Sequence, residues 1–149
     1  MAHTNYNAKT MKLVRDAGFF IDRVEHYDSF SRKRHDLFGI IDYVAMGQGS
    51  IIGVQSTSYS SKSAHKAAIE SSKTARMWLK CGGKFLFVAW KKKPIPKSKK
   101  ALAAEAEGQE IKERYSYEPE LFMATLGESD FVQLERVAAS ELQERLSVS

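Results

Sequence analysis

The sequence predicts an α/β domain in which a small mixed β-sheet is flanked by helices. Short runs at residues 19–24 and 84–90 carry the aromatic and aliphatic residues that are typical of core strands. Apolar residues recur at helical spacing over residues 4–17 and 63–80. Because helix-type and strand-type segments alternate along the chain, the pattern indicates the α/β class.

A β-hairpin is predicted between these two helices. Residues 37–46 form an apolar run, residues 47–49 read Gly-Gln-Gly and suit a tight turn, and residues 51–57 form the next strand. Together with the flanking segments, the hairpin gives the element order α-β-β-β-α-β. We assign this core to residues 1–93.

Residues 94–149 are expected to complete or extend the same domain. After a proline-broken basic loop, residues 101–113 favour a short exposed helix. Residues 114–124 favour a strand, which must lie at an edge because Pro119 is tolerated only at an edge or a bulge. Residues 129–146 predict an acidic, amphipathic C-terminal helix. The apolar face of that helix would consist of Phe131, Leu134, Ala138 and Leu142.

Composition narrows the class of protein. Hydrophobic residues make up 43% of the 149 residues, which suits a folded globular chain, and the longest apolar runs are too short to cross a bilayer. The first residues lack the pattern of a secretory signal, so no membrane association is expected. The single cysteine, Cys81, excludes an internal disulfide framework and a cysteine-rich zinc site. These features favour a reducing, cytoplasmic setting.

Charge is distributed unevenly along the chain. Residues 1–100 carry 19 Lys and Arg against 7 Asp and Glu, a net charge of +12, whereas residues 101–149 carry 4 against 11, a net charge of −7. This asymmetry predicts a body that binds polyanions, followed by an acidic segment that faces elsewhere. An ordinary solvated surface with uneven charge is the alternative interpretation.

The few polar residues inside the predicted hairpin are candidate functional groups. Asp42 lies in an apolar strand pattern, where an ionised carboxylate is costly unless it is paired or bound to a metal. Gln55 and Thr57 share one face of the next strand by alternation, and Asp36 would share a face with Asp42 if residues 36–42 are extended. Their oxygens suit a hard divalent cation such as Mg²⁺. The alternatives are a carboxylate bonded to backbone amides at Asp42 and a buried amide bridging strands at Gln55.

These residues resemble a family motif. The strings Asp42-Tyr43-Val44-Ala45 and Gly53-Val54-Gln55-Ser56-Thr57, separated by a glycine turn, are similar to the core of the PD-(D/E)xK, or restriction-endonuclease-like, nuclease superfamily. The resemblance is greatest to archaeal-type Holliday-junction resolvases and phage-encoded relatives. It covers roughly residues 4–93.

The resemblance implies hydrolysis of DNA phosphodiester bonds with Mg²⁺ or Mn²⁺, on branched or otherwise structured DNA. Asp42 and position 55 would be metal ligands, and position 57 would be the lysine that positions or activates water. The chain departs from that pattern, because Gln55 offers only a neutral carbonyl oxygen and Thr57 supplies no cation. We therefore expect Glu25 or Asp36 to add a carboxylate, and Lys62 or Lys66 to replace the lysine.

Basic residues supply the expected DNA contacts. Arg32, Lys33 and Arg34 precede the hairpin, and Lys91, Lys92 and Lys93 follow the last core strand. Both groups are predicted to grip phosphates, a sequence-independent contact that weakens with salt. The alternative function is a catalytically inactive DNA-binding or protein-interaction module on the same fold. A homodimer, or a partner bound through the C-terminal helix, is a further expectation.

Overall fold

Six strands form one mixed sheet in the computed structural model, which describes residues 6–147, and five helices pack against the sheet or connect its strands. The helices are α1 (Tyr6–Asp16), α2 (Lys62–Glu70), α3 (Lys73–Lys80), α4 (Lys99–Ala106) and α5 (Leu142–Leu146). The strands are β1 (Phe20–Arg23), β2 (His26–Asp28), β3 (Lys33–His35), β4 (Tyr43–Gly47), β5 (Ser50–Ser58), β6 (Lys84–Pro94), β7 (Tyr115–Leu126) and β8 (Val132–Val137).

The strands of the main sheet lie in the order β1-β4-β5-β6-β7-β8, and β2 and β3 form a separate two-stranded hairpin. Only β5 and β6 are parallel among the paired strands of this sheet, and α2 and α3 make the crossover that such a connection requires. The other neighbours are antiparallel. An α/β fold with a mixed sheet flanked by helices is thereby confirmed.

Two hydrophobic cores cover the two faces of the sheet. On one face, Val14 of α1 and Leu146 of α5 pack with alternate residues of the central strands, among them Val54 and Leu86. On the other face, Ile69 of α2 and Ala75 of α3 pack with Phe85 and its neighbours. The alternation of side chains along β6 supplies both cores, because Phe85 to Trp90 are all buried.

The predicted order α-β-β-β-α-β corresponds to α1, β1, β4, β5, the α2–α3 pair and β6. Residues 4 and 5 of the first predicted helix lie outside the described residues. The helix predicted over residues 63–80 is divided at Ser71 and Ser72. The Ser71 hydroxyl donates to the Ala67 carbonyl at 2.9 Å, and the Ser72 hydroxyl accepts from the Ala75 amide at 3.1 Å. Ser72 therefore caps a second helix rather than continuing the first one.

The prediction of one C-terminal helix over residues 129–146 is wrong. Residues Val132–Val137 form β8, which pairs with β7 along its whole length, and only Leu142–Leu146 are helical. Phe131, expected on the buried face, is 66% exposed. Pairing with β7 across the turn at residues 127–131 overrides the helical spacing of the apolar residues in this segment.

The edge strand predicted around Pro119 is also longer and more central than expected. β7 lies between β6 and β8, and its pairing with β8 begins at Leu121 opposite Val137. Pro119 pairs with Trp90 of β6, in the part of β7 that extends beyond β8. The proline therefore occupies a local edge, where its missing amide hydrogen costs no ladder bond.

The acidic segment does not face away from the basic body, contrary to the sequence-based expectation. Four acidic residues of the C-terminal third form ion pairs with lysines that come earlier in the chain; the pairs are Lys62–Glu120, Lys80–Asp130, Lys93–Glu118 and Lys97–Glu105. The β6–β7 ladder brings one of these pairs, Lys93–Glu118, together, and the four pairs partly neutralise the excess positive charge of the first 100 residues. Among the described residues, no helix has the length and apolar character needed to cross a membrane.

Candidate metal centre

Asp42 is fixed between two strands by main-chain hydrogen bonds. Its amide donates to the Val54 carbonyl of β5 at 2.9 Å, and its carbonyl accepts from the amides of Val24 and Glu25 at 2.8 and 3.0 Å. The carboxylate atom Oδ2 accepts from the Ser56 amide at 3.2 Å. The side chain is thus held against the peptide that joins Gln55 to Ser56, in line with the alternative in which Asp42 bonds a backbone amide.

Three carboxylates converge at this point. One oxygen each from Glu25, Asp36 and Asp42 lie within 4.8 Å of one another. Glu25 follows β1, and the hydrogen bond from its amide to the Asp42 carbonyl holds its main chain beside Asp42. Both sequence-predicted reserve carboxylates, Glu25 and Asp36, therefore lie beside Asp42.

Asp36 reaches the cluster by a different path from the predicted one. Residues 37–41 form a tight turn, in which the Leu37 amide donates to Ile41 at 2.8 Å and the Gly39 amide donates to Asp36 at 3.2 Å. Gly39 has a φ of +77°, a conformation that glycine adopts at little cost. The expectation of an extended strand from residue 37 onward is wrong, since β4 begins only at Tyr43. The turn reverses the chain and brings Asp36 back to Asp42.

The electrostatics of the cluster are unfavourable without a cation. Burial, together with the neighbouring charge of Asp36 and a smaller contribution from Glu25, raises the pKa of Asp42 from 3.8 to about 8, although the Ser56 amide opposes the rise. Asp42 is 8% exposed. Arg23 contacts Glu25 at 3.7 Å, but no ion pair to Asp36 or Asp42 forms among the described side chains. A bound divalent cation would relieve this repulsion.

Gln55 carries a neutral side-chain oxygen and directly precedes Ser56, whose amide binds the Asp42 carboxylate. The residue is 5% exposed, and its Oε1 atom is buried without a hydrogen-bond partner among the described residues. A buried amide oxygen left unbonded costs roughly 1–3 kcal/mol, so its persistence requires a reason. Its unbonded state does not match the alternative of an amide that bridges strands. Thr57, two residues further along β5, is half-buried.

The two candidate lysines differ in their surroundings. Lys62, at the start of α2, forms an ion pair with Glu120 of β7 at 3.0 Å, and this hydrogen bond raises the pKa of its ammonium. Thr57, Ala89 and Glu120 lie side by side in the register of β5, β6 and β7. Lys62 is therefore anchored at the level of Thr57 but two strands away from it. Lys66, one turn later, is half-buried and forms no ion pair with a described side chain.

Glu120 is the residue of this region that sequence reasoning missed. It accepts from Lys62 and lies 3.6 Å from Arg136, and its side chain is only 13% exposed. Its one signal is its position directly after Pro119 in a β-rich segment. That signal does not indicate which cation it meets, because both partners are distant in the sequence.

The predicted phosphate-binding residues occupy two separate places. Arg32 and Lys33 are exposed on the β2–β3 hairpin, and Arg34 belongs to β3. Lys91 and Lys92 are exposed on β6 and lie over the rings of Tyr59 and Tyr115, at 5.0 and 3.9 Å from the ring centres. Lys93 is instead paired with Glu118 at 2.8 Å.

The β2–β3 group is connected directly to the carboxylate cluster. Glu25 immediately precedes β2 and Asp36 immediately follows β3, so the hairpin starts and ends at the candidate metal centre.

Comparison of the chain with protein-family models, with curated proteins and with solved structures finds no match.

Proposed function

We propose that this protein is a metal-dependent endonuclease that hydrolyses DNA, with Mg²⁺ or Mn²⁺ held by Asp42, Asp36, Glu25 and the side-chain oxygen of Gln55. The observation that carries the proposal is the convergence of three carboxylate oxygens within 4.8 Å, together with the buried side-chain oxygen of Gln55, which has no partner among the described residues and belongs to the residue before Ser56. Oxygen ligands in this number and charge suit a hard divalent cation.

The other carboxylates can compensate for Gln55, a neutral residue at the position where the family motif has an acidic one. A glutamine contributes no charge, so a site with Asp42 alone would attract a cation weakly. Asp36 and Glu25 restore the negative charge from the two ends of the β2–β3 hairpin. When bound, the ion would polarise the scissile phosphate and lower the pKa of a bound water.

The fold supports the resemblance to PD-(D/E)xK nucleases. With the separate β2–β3 hairpin left out, the element order is α-β-β-β-α-β; Asp42 directly precedes the first strand of the β4–β5 hairpin, and Gln55 and Thr57 lie on its second strand. A parallel β6, reached through α2 and α3, is consistent with the same order. We extend the proposal to branched or structured DNA as substrate and to action in the cytoplasm.

Lys62 is proposed to take the place of the absent lysine. Its ammonium is held by Glu120, which lies in register with Thr57 two strands away. A substrate phosphate would compete with Glu120 for this cation. Lys66, which has no such partner among the described side chains, would assist from the next turn of α2.

Cleavage assays with an isosteric variant test this function. Wild-type protein incubated with duplex, forked and four-way DNA in Mg²⁺ or Mn²⁺ is expected to cut at least one substrate. Asp42→Asn should lower the cleavage rate at least about a hundredfold, because it removes the central ligand of the cation. Asp22→Asn, on the exposed side of β1, is the matched control and should retain wild-type activity.

A catalytically inactive DNA-binding module is the second candidate. It is favoured by the residues at positions 55 and 57, which lack the charges of the family motif, and by the engagement of Lys62 with Glu120. This candidate predicts salt-sensitive DNA binding without cutting in either metal, and an affinity that Asp42→Asn leaves unchanged. Cutting by the wild type that persists in Asp42→Asn would contradict the proposed active site.

A further inference from the structure

The β2–β3 hairpin, residues 26–35, carries the most exposed aromatic side chain among the described residues. Phe30, at its tip, is 99% exposed, and Tyr27 on β2 is 60% exposed. A phenylalanine in water forgoes roughly 1.5–3 kcal/mol of burial. Neither residue belongs to the hydrophobic cores or to the partly buried residues packed against them.

We propose that this hairpin is a base-stacking finger that inserts Phe30 against an unpaired nucleobase of the DNA substrate. The proposal rests on the proposed function and deepens it, because it identifies the feature of structured DNA that the protein recognises. The occupant is a strand with unstacked bases, such as the branch point of a fork, rather than a continuous duplex.

The tip of the finger is held in one conformation. Asp28 accepts from the Phe30 amide at 2.9 Å and from the Ser31 hydroxyl at 3.0 Å, and Arg32 adopts a φ of +57°. These bonds, led by the Phe30 amide, hold the pKa of Asp28 below its usual range, so the carboxylate that accepts them is ionised at neutral pH. A side chain on such a turn is presented at low entropic cost.

Charge around the tip matches a nucleic acid. Arg32 and Lys33 are exposed shortly after Phe30, and Arg34 follows them in the sequence, whereas Asp28 is the only acidic residue of the hairpin. Aromatic rings combined with cations are the features with which proteins bind single-stranded nucleic acid, where rings stack on bases and cations contact phosphates.

The position of the finger relates stacking to cleavage. Both ends of the hairpin adjoin carboxylates of the candidate metal centre, Glu25 and Asp36. Phe30 is five residues beyond Glu25, and a strand rises roughly 3.3 Å per residue, so the two Cα atoms lie at most about 17 Å apart. At a spacing of about 3.4 Å per nucleotide, this backbone separation corresponds to about five nucleotides, which places the stacked base a few nucleotides from the scissile phosphate.

Binding measured in EDTA tests the finger separately from cleavage. With wild type, forked DNA is expected to bind more tightly than duplex DNA of equal length. Phe30→Ala should weaken binding to the fork about fivefold or more, which is the contribution expected from stacking of one base. Binding to the duplex, which offers no unpaired base, should weaken less than about twofold. Phe131→Ala removes an exposed ring outside the finger and should behave as wild type.

A tryptophan at the tip gives a direct readout. Phe30→Trp should keep the preference for the fork, and its indole emission, taken as the difference from wild type, should be quenched by saturating forked DNA. Emission that does not change at saturation, or a fork preference that Phe30→Ala retains, would overturn the proposal. A response to anionic vesicles without a response to DNA would overturn it as well, in favour of a membrane surface. None of these measurements involves metal, so the finger and the proposed nuclease can fail independently.

Discussion

At the residue scale, Asp42 combines two features that conflict in the metal-free protein. Its main chain is bonded to Val24, Glu25 and Val54, which fixes the carboxylate in a buried position. Asp36 and Glu25 add negative charge at that position. Such a conflict is typical of functional sites, where charge is concentrated for a ligand at the expense of stability.

Stability of the metal-free protein should therefore depend on pH through Asp42. A carboxyl whose pKa rises from 3.8 in the unfolded chain to about 8 in the fold stabilises the fold fully below pH 3.8, and this contribution is lost as the pH rises through about 8. We expect the free energy of unfolding in EDTA, measured with urea, to be lower at pH 9 than at pH 5.

Two comparisons isolate the carboxylate in that measurement. Asp42→Asn should lose most of the difference between pH 5 and pH 9, and Asp22→Asn should retain it. Saturating Mg²⁺ should raise the stability of wild type at pH 9, because a ligand that binds only the folded state stabilises it. A pH dependence identical in wild type and Asp42→Asn would contradict the assignment of the shift to this residue.

At the element scale, the strands and helices that follow from the apolar pattern were predictable, and those that depend on which main-chain groups pair with each other were not. α1, β1, β5 and β6 follow from hydrophobic spacing and glycine positions. β8 forms because β7 lies beside it, and residues 37–41 turn because Leu37 and Ile41 bond each other. The spacing of apolar residues predicts neither the β7–β8 pairing nor the turn over residues 37–41.

The turn over residues 37–41 is positioned by a glycine on the facing strand. A Cβ added at Gly53 would lie 2.8 and 2.9 Å from two side-chain carbons of Ile41, closer than carbon atoms approach. Ile41 directly precedes Asp42, so space at Gly53 allows the carboxylate to reach the peptide of Ser56. Here a glycine is needed for close approach and not for a positive φ.

Gly53→Ala should consequently impair the metal centre as well as the fold. We expect a loss of roughly 1–3 kcal/mol in unfolding free energy from overpacking, with a drop in Mg²⁺ affinity measured by calorimetry on the folded variant. Gly127→Ala is the control, because the atoms nearest to its Cβ, at 3.0–3.3 Å, belong to the flexible end of the Gln133 side chain. Equal metal affinity in wild type and Gly53→Ala would show that Asp42 is positioned without Ile41.

At the scale of the whole molecule, charge is organised by contacts rather than by order in the sequence. The net charges of the two parts of the chain were readable from composition, but their mutual pairing across β6 and β7 was not. The candidate site shows the same division. Asp42 and Gln55 were identified from their apolar surroundings, whereas the role of Glu120 depends on a tertiary contact and the position of Asp36 on main-chain hydrogen bonds within a turn.

This pairing divides the basic residues into those that are free to contact phosphate and those that are not. Arg32 and Lys33 are exposed on the hairpin, whereas Lys93 and Lys97 are bonded to Glu118 and Glu105. Only a cation that replaces counterions on the DNA contributes to the salt dependence of binding.

The salt dependence of duplex binding should reveal this division. In EDTA, the slope of log affinity against log salt changes by about 0.9 for each phosphate that a side chain no longer neutralises, so the double variant Arg32→Gln/Lys33→Gln should reduce its magnitude by about 1.8. Lys93→Gln/Lys97→Gln removes the same formal charge and should change the slope by less than about 0.5. Fluorescence anisotropy over about a sixfold range of salt concentration resolves this difference. Equal changes in both variants would mean that net charge, and not the hairpin, governs DNA binding.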